Sequence, residues 1–124
     1  MDSNSKAQTM IDLAVEAAYD KLGENPVALD VSKYYSLSDA FLLVSGRNER
    51  QVQSIAEEIE DRFREAGFKL VLKEGQQLGR WILLDYGDLL VHVMHEQERM
   101  YYSLERLWSD CPVLPVPAAS VSTL

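Results

Sequence analysis

The stretch Trp81–Met94, WILLDYGDLLVHVM, contains two mainly apolar runs separated by Gly87-Asp88. Two such runs predict a β-hairpin, and a glycine at the first central position suits a type II′ turn. If the turn is Gly-Asp, Tyr86 pairs with Leu89. This register fixes which side chains share a face, because side chains alternate along a strand.

The two faces of this hairpin differ in composition. One is aliphatic and predicts the core; it carries Ile82, Leu84, Tyr86, Leu89, Val91 and Val93. The other, called the mixed face below, carries Trp81, Leu83, Asp85, Leu90, His92 and Met94. A mixed patch with tryptophan and methionine is typical of a protein-binding surface, which predicts that Trp81 and His92 lie on one face, at least partly exposed. The other interpretation is that helices cover this face too and that Asp85 and His92 are hydrogen-bonded inside.

The rest of the chain is predicted to form helices and short strands. Apolar residues at helical spacing predict three helices, over 5–22, 49–66 and 95–108. Short apolar runs predict five strands, over 27–31, 40–44, 68–73, 81–86 and 89–94. Asn48 and Gln51 resemble a capping box at the start of the second helix, and Gly67 suits its end.

This order of elements predicts an α/β or α+β fold with a mixed five-stranded sheet flanked by helices. The hairpin must be antiparallel, while strands separated by a helix can pair in parallel. A chain of 124 residues forms one domain in most cases, and we place it over residues 1–110. Residues 111–124 contain three prolines and no charged side chain, and we expect an extended, mobile tail.

Composition limits the partners. The chain has 12 basic and 20 acidic side chains, a net charge of −8 with both histidines neutral. This balance disfavours nucleic-acid binding, which needs clustered lysine and arginine, and favours a basic protein partner. The longest apolar run, 40–44, is too short to span a bilayer, and the N-terminus does not resemble a secretory signal. With the single cysteine Cys111, a reducing cytosol is the simplest compartment.

The sequence gives little support for a metal site or for a reactive cysteine. His92 and His95 have the spacing of some metal ligands, but a strand and a helix start lack the helical geometry of a zinc motif. Packing or hydrogen-bonding roles are therefore favoured for both. Cys111 lies beside Asp110, whose charge opposes a reactive thiolate. We expect no metal, no cofactor and no catalytic cysteine.

Ser45-Gly46 follows a predicted strand and precedes a helix, where nucleotidyltransferases begin their active site. Those enzymes hold magnesium with paired acids on the next strand, but residues 68–73 contain no acid. This favours a turn role for the pair and a protein that is not an enzyme. The alternative, an enzyme with its acids displaced to Asp85 and Asp88, stays open at this point.

Sequence blocks along the chain resemble the ribosomal silencing factor family, also called Iojap-like. They are Ala28–Val31, Leu37–Phe41, Val44–Val52, Gly79–Asp88, Val91–Val93 and a closing block with His95, Glu98, Arg99, Tyr102, Leu104–Trp108 and Asp110. The resemblance covers roughly residues 5–111, and this breadth makes it more specific than any short motif.

The resemblance implies a function that composition does not show. Family members bind large-subunit ribosomal protein fourteen, sterically block joining of the small subunit, repress translation when nutrients are scarce and affect large-subunit biogenesis. They form cytoplasmic homodimers with a nucleotidyltransferase-like fold that lacks the active site. Their hairpin face and last helix supply the contact surface. In this sequence the corresponding residues are Trp81, Asp85, His92, His95, Tyr102, Leu107 and Trp108.

Overall fold

The computed structural model describes residues 3–119, which form four helices and six strands. The helices are α1 (Ser3–Asp20), α2 (Glu49–Glu65), α3 (Glu96–Tyr102) and α4 (Leu104–Leu107). The strands are β1 (Glu24–Asp30), β2 (Ala40–Gly46), β3 (Leu72–Glu74), β4 (Trp81–Asp85), β5 (Leu89–His95) and β6 (Val113–Leu114). The predicted mixed α+β class is confirmed.

All six strands form one sheet in the order β3-β4-β5-β2-β1-β6. The central pair, β2 and β5, is parallel, as the helix between them permits, and the other pairs are antiparallel. The predicted count of five strands is wrong, because Val113 and Leu114 pair with β1. The proline at 112 does not prevent this, because its carbonyl oxygen accepts the Asp30 N–H at 2.8 Å.

The hairpin has the predicted register. Leu83 lies opposite His92, and the Tyr86 N–H donates to the Leu89 carbonyl at 3.0 Å. Gly87 has a φ of 84°, which a side chain at this turn position would strain. Trp81 and His92 therefore lie on the same face, as predicted.

The aliphatic face of the hairpin lies in the main core beneath α1 and α2. Its six members are buried: Ile82, Leu84, Tyr86, Leu89, Val91 and Val93. The α2 stripe that covers them is Val52, Ile55, Ala56, Ile59 and Phe63. These apolar residues recur at the helical period, so one face of α2 is buried while its charged residues stay in water.

The start of α2 follows the predicted cap. The Asn48 side chain accepts the Gln51 N–H at 2.8 Å. The Gln51 side chain accepts the Arg47 N–H at 2.6 Å, one residue before the position that a capping box predicts. The helix ends at Glu65, and Gly67 follows with a φ of 88°.

The single predicted helix over 95–108 is wrong, because Ser103 divides it into α3 and α4. Ser103 has a φ of 50°, a left-handed conformation that ends α3. Arg99 of α3 is buried and donates to the Ser45 hydroxyl at 2.8 Å and to Glu105. Beyond the break, the Trp108 ring packs against the second core cluster.

Two strand boundaries also differ from the prediction. β1 begins at Glu24, because the predicted break at Asn25-Pro26 is a bulge within the strand. β3 spans only Leu72–Glu74, because Phe68 and Leu70 pack against the main core from a loop.

The tail runs back along the domain over its described part. Leu114 and Val116 pack against the main core, and the Gln8 side chain donates to the Pro115 carbonyl at 2.8 Å. The mobility predicted for residues 111–124 stays a prediction, and residues 120–124 lie outside the described residues.

Candidate functional site

The mixed face is half covered. A second core cluster includes Leu29 of β1, Phe41 of β2 and Leu90 of β5, and the half-buried Trp108 packs against it. On β5 the side chains of Leu90, His92 and Met94 are buried, whereas on β4 the side chains of Trp81, Leu83 and Asp85 are half-buried. The interpretation of this face as a surface therefore holds for β4, and the interpretation that it is covered holds for β5. The predicted exposure is correct for Trp81 and wrong for His92, which is 6% exposed.

Three rings form the aromatic patch, which we define as Trp81, Tyr101 and Tyr102. The Trp81 and Tyr102 ring centroids lie 5.0 Å apart, and Tyr101 contacts Tyr102 edge-on, also at 5.0 Å. Tyr101 is 80% exposed and Tyr102 is 48% exposed. Exposed rings that contact one another present a large apolar area at little cost in side-chain entropy, the composition of an interaction surface.

A cavity of about 370 Å³ adjoins the patch. It is lined by Glu74, Gly75, Trp81, Leu83 and His92. Gly75 has a φ of 86°, and a Cβ there would lie 2.0 Å from the Trp81 carbonyl oxygen. Only glycine allows this approach, so Gly75 fixes the backbone beside the exposed tryptophan.

Arg80 connects β4 to two helices. Its guanidinium pairs with Glu49 of α2 and Glu98 of α3, each at 2.9 Å. The hydrogen bonds to Glu98 and then to Glu49 raise the pKa of Arg80, and the same contact lowers the pKa of Glu49. These pairs hold α3, which carries both patch tyrosines, against the end of the hairpin.

His92 touches the patch through a hydrogen bond. The Trp81 Nε1–H donates to His92 Nδ1 at 3.0 Å. Burial lowers the pKa of His92 from its ordinary 6.5 to about 4, because the charged imidazolium would lose its water. The imidazole is therefore neutral near pH 7, and Nδ1 is free to accept.

Asp85 and His95 serve local structure. Asp85 Oδ1 accepts the Gly87 N–H at 2.8 Å and so stabilises the hairpin turn. His95 is buried, and its Nδ1 accepts the Gln97 N–H at 3.1 Å as the N-cap of α3. His92 and His95 are three apart on one strand and so point to opposite faces. Within residues 3–119 no group of three metal-ligating side chains occurs.

Trp108 and Leu107 are neighbours in the chain but differ in their packing and exposure. The Trp108 ring packs edge-on against Phe41 at 5.2 Å and Tyr35 at 6.0 Å, which places it in the second core cluster. Leu107 is 72% exposed on α4. The structure brings Trp81, His92 and Tyr102 together, and it packs the half-buried Trp108 against the second core cluster.

Sequence reasoning missed three parts of this region. Tyr101, which is 80% exposed, was not among the predicted contact residues. The tandem Tyr101-Tyr102 was the available signal. Gly75 had no signal beyond its residue type. The Arg99–Ser45 contact joins residues 54 apart in the chain, which spacing does not reveal.

The arrangement defines a class of protein: an α+β domain with an exposed aromatic patch on a half-covered sheet face. Such a surface can bury apolar area against a second macromolecule. No helix within the described part of the chain is long and apolar enough to cross a membrane.

The chain belongs to the family described as "Ribosomal silencing factor during starvation", whose match covers residues 4–123. It is 43% identical over 107 residues to ribosomal silencing factor RsfS of Halalkalibacterium halodurans, covering 86% of this chain and 92% of that protein. Over 106 residues it is 42% identical to RsfS of Bacillus subtilis, covering 86% and 90%. A mitochondrial Iojap-related protein of Arabidopsis thaliana is 29% identical over 94 residues, covering 73% and 51%.

Solved structures agree with this membership. A crystal structure of a protein from Bacillus halodurans has a TM-score of 0.77 and 42% identity, covering 87% of this chain and 98% of that one. A protein from Chromobacterium violaceum has a TM-score of 0.80 and 36% identity, covering 94% and 93%. The mixed sheet and its helices are therefore the fold of these relatives.

Proposed function

We propose that this protein is a cytoplasmic ribosomal silencing factor that docks on the large ribosomal subunit through ribosomal protein fourteen. Its bulk then blocks joining of the small subunit and represses translation, and the same contact affects large-subunit biogenesis. The observation that carries the proposal is membership of the silencing factor family over residues 4–123. No bond is made or broken in this mechanism.

The aromatic patch is the docking surface in this proposal. Trp81 is the apolar anchor, because large half-exposed rings beside a cavity are typical interface hot spots. Tyr102 extends the surface, and Leu107 supplies further exposed apolar area. Glu74, exposed at the cavity, and the half-buried Asp85 face the lysine and arginine side chains of a basic ribosomal protein.

The homodimer and the nucleotidyltransferase-like ancestry of the fold belong to the same proposal, on the strength of the family resemblance. The alternative enzyme needs Asp85 and Asp88 to hold magnesium. Asp85 accepts the Gly87 N–H, and Asp88 pairs with Lys6 at 3.0 Å. Both carboxylates thus have partners within the domain, which favours a binding protein.

The test is co-sedimentation of the purified protein with isolated large and small ribosomal subunits at low and moderate salt. We expect binding to large subunits alone, with fewer joined ribosomes when small subunits are added. Trp81→Ala is expected to weaken binding by at least about 2 kcal/mol. Leu22→Ala, which truncates an exposed leucine after α1, is the matched control. A folded wild-type protein that ignores large subunits at low salt would refute the proposal.

A further inference from the structure

The side chain of His92 is almost fully buried, although it lines the cavity beside Trp81. Its strand, β5, is flanked by β4 and β2, with Leu83 opposite on one side and Leu43 on the other. The side chain is 6% exposed. With so little exposed surface, this residue acts on a partner mainly through a neighbour.

That neighbour is Trp81. The indole nitrogen is a donor only, and it donates to His92 Nδ1 at 3.0 Å with the two ring centroids 5.9 Å apart. A neutral imidazole has one acceptor nitrogen, so this contact places the proton on Nε2. Nε2 has no hydrogen-bond partner among the described residues. Among the described residues, the hydrogen bond at Nδ1 is thus the one polar contact of the His92 side chain.

The second core cluster holds the imidazole in place. The Phe41 ring packs edge-on against His92 at 5.1 Å, and Trp108 packs on Phe41 at 5.2 Å. On the other side of the hydrogen bond, Trp81 contacts Tyr102. A continuous row of rings therefore runs from the buried cluster to the aromatic patch.

We propose that His92 is a positioning residue, which holds the Trp81 ring in its orientation against Tyr102 and acts on a docked partner only through Trp81. The inference rests on the proposed function, since it gives the docking surface its internal support. A half-exposed tryptophan without this bond has more rotamers, and fixing them in advance lowers the cost of binding. The residue that touches the partner is Trp81.

The test compares two substitutions of His92. His92→Phe keeps a ring but removes the acceptor, whereas His92→Asn keeps a side-chain acceptor near the position of Nδ1. We expect His92→Phe to weaken large-subunit binding about tenfold, which is the effect of losing one hydrogen bond. His92→Asn is expected to weaken binding less, because it keeps an acceptor for the Trp81 indole. The Trp81 indole N–H, followed by nitrogen-15 NMR, is expected to shift and exchange faster in His92→Phe, while the Trp108 indole serves as an internal reference.

A double-mutant cycle with Trp81→Phe covers the case in which His92→Asn folds poorly. If His92 acts only through the indole, His92→Phe costs nothing further in the Trp81→Phe background. An equal loss in both backgrounds, or an unchanged indole signal in His92→Phe, overturns the inference. If Trp81→Ala weakens binding while His92→Phe does not, the inference fails and the proposed function stands. If the wild-type protein does not bind large subunits, the proposed function fails, and the NMR comparison still decides whether His92 holds Trp81.

Discussion

Gly75 and Gly67 both have positive φ, but they differ in the space around them. A Cβ at Gly67 meets nothing within 4 Å, whereas at Gly75 it would lie 2.0 Å from the Trp81 carbonyl oxygen. Gly67→Ala is therefore expected to cost about 1 kcal/mol of unfolding free energy from backbone strain alone. Gly75→Ala adds a clash with backbone and should cost clearly more. Urea denaturation of both variants checks this, and equal losses would contradict the close approach.

Burial of His92 predicts a pH dependence of stability. Its pKa is about 4 in the folded protein and 6.5 ordinarily, so the unfolded chain binds the proton more readily. Stability is therefore complete above pH 6.5 and falls as the pH is lowered towards 4, by at most about 3 kcal/mol from this residue.

The measurement is the unfolding free energy of wild type and His92→Phe between pH 7 and 4.5. All the carboxylates, including Glu74 at the same cavity, are common to the two proteins, so the difference between the two slopes isolates His92. The variant is expected to lose less stability on acidification. Parallel curves would show that His92 carries the proton as easily in the folded state as in the unfolded one.

At the scale of elements, the tail carries the next prediction. β6 covers the outer edge of β1, and Leu114 and Val116 pack on the main core. Deleting residues 112–124 is expected to lower the unfolding free energy by about 2 kcal/mol through lost apolar burial. It also leaves β1 as an open edge that favours self-association. Denaturation and sedimentation velocity measure the two effects.

Deleting residues 120–124 alone retains β6 and is the matched control. If the longer deletion leaves both stability and association state as they are in this control, the pairing of β6 with β1 does not stabilise the domain.

The sequence correctly predicted the features that depend on residues close together in the chain. The cap at Asn48, the stripe of α2 and the hairpin register each depend on residues close in the chain, and each is found. The break at Ser103 accompanies a contact of Arg99 with Ser45 across the fold, and β6 depends on an edge supplied by β1. Helical spacing and proline content contain neither fact, so these elements were predicted wrongly.

At the scale of the molecule, the difference between local signals and long-range contacts also explains which parts of the candidate site could be predicted. Register placed Trp81 and His92 on one face, but it could not tell which strand the second cluster covers. That depends on Trp108 packing against Phe41, two residues that are far apart in the chain. The sequence resemblance named both Trp81 and Trp108 as contact residues; both rings are half-buried, but Trp81 contacts Tyr102 whereas Trp108 packs against the second core cluster.

The net charge of −8 predicts how the protein finds a basic partner. Electrostatic steering speeds association and weakens with ionic strength, so the association rate with large subunits should fall as salt rises. Glu74→Gln removes a charge at the cavity beside Trp81, and Glu16→Gln removes one from an exposed position on α1. If docking uses the mixed face, Glu74→Gln should slow association about twofold and Glu16→Gln less, because steering is strongest near the contact.

Trp81→Ala separates steering from anchoring in the same kinetic experiment. The substitution removes a ring and no charge, so it should speed dissociation and leave the salt dependence of association unchanged. Stopped-flow or surface-based kinetics at several salt concentrations give both rates for all four proteins. Equal slowing by Glu74→Gln and Glu16→Gln would mean that total charge, rather than the charge beside the aromatic patch, guides the encounter. The docking surface would then have to be sought on another face of the domain.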